Sequence, residues 1–167
     1  MDRDAYNYGG TLLFAAFAII GVALAFEHVG GYAPCPLCLV QRYAYYATLP
    51  LAFLALVLVS AQNAKPAALI FLFLSLAFLA NSGLGFYQSG AEWGWWPGPQ
   101  SCAAGQAMSG TADSMLADLA GTTIVRCDEA AWRDPVLGLS FAGWNVVASF
   151  ALFVVGLKAA FAAADRN

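Results

Sequence analysis

The sequence predicts an all-α membrane protein: an antiparallel bundle of four transmembrane helices, with a short amphipathic helix in its one long loop. Three observations carry this. Of the 167 residues, 61% are hydrophobic and only 10% are charged, against about 25% charged in soluble domains. The apolar residues gather into four runs of spanning length. The segments between them are short, short and long, and the four cysteines fall as one pair in the first of these segments and one pair in the last. The net charge of −3 comes with no basic cluster, so nucleic acid is not an expected partner.

The chain reads as a single transmembrane domain over 1–167, with spans at about 10–27, 38–60, 67–87 and 139–161. The first run, broken only by Thr11, is about 17 residues and at the short end for crossing a bilayer. Ala23-Leu24-Ala25 resembles a signal-peptidase site, but Asp2 and Asp4 flank a lone Arg3 where a signal peptide has a positive start, so the run reads as a span. Glu27, His28, Gly30 and Gly31 then open a loop over about 28–37. The second run begins with Gln41, Arg42, Tyr43, Tyr45 and Tyr46; the tyrosines read as an interfacial belt, and Arg42 needs the interface or a polar partner. Pro50 is tolerated if neighbours satisfy the carbonyl it frees. A turn before Pro66 leads to the third run, and short connections make these helices antiparallel neighbours.

The long loop is expected over about 88–138. Trp93, Trp95 and Trp96 at its start have the character of an interfacial anchor. Met108, Ala112, Met115, Leu116 and Leu119 recur at helical spacing, which predicts an amphipathic helix on the membrane surface; a helix packed within the loop is the alternative. The fourth run carries Trp144 and Asn145 in its early turns. Four spans put both termini on one side with Arg3, Lys65, Lys158 and Arg166, against Arg126 and Arg133 opposite. That bias makes the termini cytoplasmic and the cysteine loops external, where disulfides persist.

The chemistry centres on Cys35-Pro36-Leu37-Cys38, with Arg42 four residues on. If the helix starts near Leu37, Cys38 lies in its first turn and Arg42 one turn along the same face. A helix N-terminus and a guanidinium both favour thiolate over thiol. Cys102 and Cys127 lie in the polar loop, within reach of a soluble protein, whereas Cys35 and Cys38 lie at the membrane face, within reach of a lipid-soluble acceptor. Two pairs in two settings describe a relay, with electrons entering at the loop pair and leaving through the Cys-x-x-Cys pair into the bilayer, where a quinone is the natural acceptor. Structural disulfides in a non-enzymatic membrane scaffold are the rival reading. A zinc site is disfavoured, because the second pair is widely spaced and His28 is the only histidine; no metal is expected.

Cys35-Pro36-Leu37-Cys38-Leu39-Val40-Gln41-Arg42 resembles the C-x-L-C-x-x-Q-R signature of the bacterial disulfide bond formation protein B family. Glu92 through Pro99 before Cys102, and Cys127-Asp128-Glu129 leading to Leu137-Gly138-Leu139-Ser140 and Trp144-Asn145, are similar to that family too. The resemblance implies an inner-membrane enzyme that reoxidises a periplasmic DsbA-like thioredoxin-fold oxidase and reduces ubiquinone or menaquinone. By position, Cys102 would form the mixed disulfide with the partner, Cys127 would exchange with Cys35, and Cys38 would be freed as the thiolate that reduces the quinone. Arg42 would stabilise that thiolate and hold the quinone. The family often carries a histidine where this chain has Gln88, which is a candidate quinone contact; His28 reads as a loop residue. A DsbA-like partner near about −120 mV is a strong oxidant, and about 30 mV corresponds to about 1.4 kcal/mol for two electrons, so only a more oxidising acceptor can drive the relay. A vitamin K epoxide reductase-like bundle also carries a Cys-x-x-Cys and binds quinone, but the early position of the motif here disfavours it.

Overall fold

The computed structural model describes residues 3–98 and 126–165. Its regular structure is helical: α1 (Arg3–His28), α2 (Pro36–Ser60), α3 (Ala64–Glu92) and α4 (Phe141–Ala164). All four are long and apolar enough to cross a membrane. At 24 to 29 residues they are about 36–44 Å long, so their ends reach past a hydrocarbon core of about 30 Å. They form a ring in which α1 packs on α2, α2 on α3, α3 on α4 and α4 on α1, with the α3–α4 contact the most extensive.

The bundle interior follows the helical period. In α1 the buried residues are Ala5, Gly9, Leu12, Ala16 and Ile20, one stripe at spacings of three and four. They meet Leu56 and Val59 of α2, Phe71, Leu74 and Phe78 of α3, and Leu152 of α4 in one core. Outward faces are as apolar as the core: Phe14, Phe17, Phe53, Leu69 and Phe73 are all exposed. Only 22% of the most apolar stretch of α1 is buried inside the protein. A surface of this kind suits lipid rather than water.

Lipid gives no hydrophobic drive between helices, so close approach and polar contacts hold them. The α3–α4 seam has both. A Cβ built at Gly156 would stand 3.2 Å from Ser75 Cβ and 3.3 Å from Ser75 Cα. Beside it Ser75 Oγ donates to Phe153 O at 2.8 Å, and Ser82 Oγ donates to Val146 O at 3.1 Å.

The helices outrun the apolar runs that announce them. α1 starts at Arg3, before the apolar stretch, and α4 runs to Ala164. The boundary expected at 88 matters most for the site, because α3 continues through Gln88, Ser89, Gly90 and Ala91 to Glu92. These four residues are buried, so this polar turn is held by tertiary contacts. Gly90 lies under the Trp96 ring, whose Cζ2 would come within 2.0 Å of a Cβ, and Trp96 Nε1 donates to Tyr87 O at 2.8 Å. The expected amphipathic helix around Met108–Leu119, and Cys102, lie outside the described residues.

Candidate active site

Cys35 ends the loop after α1, and Pro36 opens α2 at a position where a missing N–H costs nothing. Cys35 is itself the N-cap: its backbone is extended, and its sulfur accepts a hydrogen bond from Cys38 N at 3.1 Å. Cys38 therefore lies in the first turn, and the two sulfurs form a disulfide. Cys127 joins them from the segment before α4. It is 1% exposed, Cys35 is 3% exposed, and these two form a small apolar cluster with Leu37 and Cys38 against it. Cys127 is likewise no free thiol. Three of the four expected cysteines thus meet at one point.

Aromatic rings hold the 126–140 segment in place. Trp132 stacks on Phe141 at 5.1 Å between centroids, Phe26 of α1 touches both, and Tyr32 of the first loop packs on Phe26 and Phe141. Asp134 closes the turn before α4 by accepting from Val136 N and Leu137 N, and Gly138 takes the left-handed φ of +69° there. Ser140 then caps α4 by accepting from Gly143 N. Ahead of these, Arg126 forks onto Asp128 at 3.0 and 2.6 Å and reaches Glu129 at 3.0 Å, flanking Cys127 with a charged, exposed strip. The hydrogen bond from Arg126 holds the Asp128 carboxyl below its ordinary value, and the same bond raises Arg126.

Gln88 of α3 faces the disulfide. Its Nε2 lies 3.4 Å from both Cys35 Sγ and Cys38 Sγ, and 3.4 Å from Glu92 Oε1, while its Oε1 accepts from Gln41 Nε2 at 2.8 Å. One oxygen of Glu92, Oε2, is buried and has no hydrogen-bond partner among the described residues. Arg42 does lie on the cysteine side of α2, but its ion-pair partner is Glu27 at the end of α1. His28 directs its Nδ1 at Leu24 O, 3.0 Å away, in the last turn of α1 rather than in a loop.

A cavity of about 450 Å³ opens beside these groups, within the range of small-molecule sites. Ile19, Ala23, Phe26, Phe141 and Ala148 give it apolar walls, and Cys35, Cys38, Gln41, Arg42 and Gln88 give it a polar end. The arrangement can exchange sulfur partners at one end and hold an apolar molecule with hydrogen-bond acceptors beside it.

The tyrosine belt needs a correction. Tyr43 and Tyr46 are exposed, but Tyr45 is 3% exposed, and its hydroxyl donates to Asn145 Oδ1 at 2.7 Å and meets Ser149 Oγ at 3.0 Å. A buried phenol needs such partners. Sequence reasoning gave no role to Gln41, Asn145 or Glu27. For the first two a signal exists: Gln41 and Tyr45, and Asn145 and Ser149, are pairs four apart in otherwise apolar helices, which puts each pair on one face. Glu27 and Arg42 are fifteen residues apart across a loop, and nothing in the sequence pairs them.

Comparison with known proteins agrees with this geometry. The family described as "Disulfide bond formation protein DsbB" matches residues 7–159. The Disulfide bond formation protein B of Verminephrobacter eiseniae is 32% identical over 174 residues, covering 100% of this chain and 92% of that protein. Those of a Polaromonas species, 29% identical over 86% of this chain and 83% of that protein, and of an Acidovorax species, 31% identical over 84% and 78%, are similar over nearly as much. No solved structure matches the chain. A disulfide at the head of a membrane-spanning helix, a third cysteine packed on it and a family match along nearly the whole sequence lead to one conclusion: this chain belongs to the disulfide bond formation protein B family, as a multi-pass membrane thiol–disulfide oxidoreductase.

Proposed function

We propose that the protein reoxidises a DsbA-like thioredoxin-fold dithiol oxidase in the periplasm and passes the electron pair to a membrane quinone, ubiquinone or menaquinone, sustaining protein disulfide formation. On this reading it is a protein-dithiol:quinone oxidoreductase of the bacterial inner membrane, with cytoplasmic termini and periplasmic cysteine loops. The observation that supports it best is Cys127 packed on the Cys35–Cys38 disulfide beside a largely apolar cavity.

The sulfur steps balance as follows. A partner thiolate attacks Cys102 and releases Cys127 as a thiolate. The second thiol of the partner resolves the mixed disulfide and releases Cys102 as a thiolate, so the partner leaves oxidised with the loss of two electrons and two protons. The Cys127 thiolate attacks Cys35 Sγ, forming Cys127–Cys35 and breaking Cys35–Cys38. Cys38 then carries the negative charge at the head of α2, where the helix N-terminus favours it. Attack of Cys102 on Cys127 would remake the loop disulfide and release Cys35, leaving the electron pair on Cys35 and Cys38, which close again when two electrons and two protons pass to the acceptor.

The residues fit a quinone. Its flat apolar body suits the walls given by Ile19, Ala23 and Phe26, and its carbonyl oxygens need donors, which Arg42 and Gln88 provide at the polar end. When bound, a quinone supplies a two-electron, two-proton acceptor. Arg42, tied by Glu27, would orient it, and the apolar walls would exclude water from Cys38.

The test is quinone reduction by the purified protein in detergent, with a reduced thioredoxin-fold oxidase as donor. Turnover that disappears in Cys38→Ser supports the relay and its exit cysteine together. Folded protein with no turnover on either quinone would overturn the proposal.

A further inference from the structure

Four side chains from three helices form a hydrogen-bond chain in which every donor points the same way. Tyr45 Oη donates to Asn145 Oδ1 at 2.7 Å, Asn145 Nδ2 to Gln41 Oε1 at 2.7 Å, and Gln41 Nε2 to Gln88 Oε1 at 2.8 Å. Gln88 Nε2 ends the chain, 3.4 Å from the sulfurs of Cys35 and Cys38.

An amide can present either end to a neighbour, so its direction has to be fixed from outside. Here it is fixed at the far end. Asn145 Oδ1 has Tyr45 Oη at 2.7 Å, Ser149 Oγ at 3.2 Å and Asn81 Nδ2 at 3.4 Å; the hydroxyls suit either end of an amide, and the Asn81 N–H is the contact that favours the oxygen here and the nitrogen toward Gln41. The oxygen of Gln41 is then taken, and only its nitrogen remains for Gln88. The oxygen of Gln88 is taken in turn, and its nitrogen, with two protons to give, is left for the sulfurs and for Glu92 Oε1, each 3.4 Å away. Gln41 and Gln88 are 5% and 4% exposed, so bulk water does not compete for these groups. Aligned hydrogen bonds also polarise one another, by about 10–30% per bond.

A disulfide sulfur is a weak acceptor, and a thiolate is a strong one. The chain therefore aims a donor at charge that exists only after Cys35 and Cys38 separate, which is how preorganised sites stabilise developing charge. Arg42 gives its Nη1 to Glu27 and is the donor proposed above for the quinone. We infer that Gln88 is a catalytic hydrogen-bond donor to the Cys38 thiolate, and that Gln41, Asn145 and Tyr45 are positioning residues that hold its amide nitrogen toward the sulfur.

This rests on Cys38 being the sulfur that takes the charge, but its test needs neither partner nor quinone, so the two readings fail separately. In a full-length chain carrying Cys35→Ser, Cys102→Ser and Cys127→Ser, Cys38 is the only thiol, and its alkylation by iodoacetamide reports thiolate. Rates are followed from about pH 5 to about pH 10. A hydrogen bond to a charged group is worth enough that adding Gln88→Met slows alkylation at neutral pH about tenfold to a hundredfold. The rates then converge at the alkaline end, where the thiol ionises regardless. Adding Gln41→Met, which touches neither sulfur, gives the same profile with a smaller loss. Unchanged rates in both variants overturn the inference. Slowing in Gln88→Met alone overturns the orienting role of the chain. Slowing by the same factor at every pH marks altered access and overturns the assignment too.

Discussion

The α3–α4 seam gives a prediction whose size can be worked from distances. Gly156→Leu sets a branched side chain where even a Cβ would stand 3.2 Å from Ser75 Cβ, 3.3 Å from Ser75 Cα and 3.5 Å from Ser75 N. Carbon pairs rest at about 3.5–4.0 Å, so one methyl already asks the helices to part by a few tenths of an ångström, and the obstacle is backbone that no rotamer change removes. Overpacking of this kind costs about 1–3 kcal/mol. Parting the helices also stretches Ser75 Oγ–Phe153 O and Ser82 Oγ–Val146 O, and interhelical hydrogen bonds within membranes average about 0.6 kcal/mol each. The expected loss is about 2–4 kcal/mol, roughly 30-fold or more in the unfolding equilibrium. Gly83→Leu is the control, because nothing lies within 4 Å of a Cβ there; it has the helix-propensity gain without the clash. Reversible unfolding in mixed micelles, titrated with a denaturing detergent, measures both. Equal stability of the two variants would refute the close-packing account of this seam.

Other outcomes follow from the same contacts. Gly90→Ala should drive the Trp96 ring from its seat, because a Cβ would stand 2.0 Å from Cζ2, and tryptophan emission should shift to the red; an unshifted spectrum would show that the ring had not moved. Ser140→Ala removes the cap that accepts from Gly143 N, at about 0.5–2 kcal/mol, measured in the same unfolding assay. Arg42→Ala should raise the quinone KM in steady-state assays with a short-chain analogue, and an unchanged KM would remove Arg42 from the acceptor site. The Asp128 carboxyl is held below its ordinary value of 3.8 by Arg126. Its contribution to stability is thus present above that value and lost as pH falls through the lower, folded one; an NMR titration should find the midpoint below 3.8 in the native protein and near it in Arg126→Ala.

Much of this architecture was readable because bilayers impose a simple rule: apolar runs of sufficient length become helices. Cys38 in a first turn with Arg42 one turn behind also followed from spacing alone. The misreadings around Gln88 and Tyr45 share one cause, which is that polarity was taken for exposure. Gln88 to Glu92 looked like loop, yet they complete α3, because Gln41, the cysteines and Trp96 supply what solvent would have supplied. Tyr45 looked interfacial beside Tyr43 and Tyr46, yet it turns inward to Asn145 and Ser149. The sequence pattern shows that such groups need partners; only the packing of α2, α3 and α4 shows which.

The cap of α2 has a consequence for how the protein changes state. Cys35 Sγ both bonds Cys38 and terminates the helix by accepting from Cys38 N. Because Cys35 is extended and outside the helix, it can swing to another sulfur without unwinding a turn. Once it does, the Cys38 amide loses its acceptor just as the Cys38 sulfur gains a charge. In the exchange proposed above, the helix terminus would then be an open, positively polarised end beside a new anion, and would hold that anion until the electron pair moved on. Closing the disulfide restores the cap. On that proposal the first turn of α2 would work as a latch that records which sulfur Cys35 holds, and solvent exchange of one backbone proton, that of Cys38, should read it.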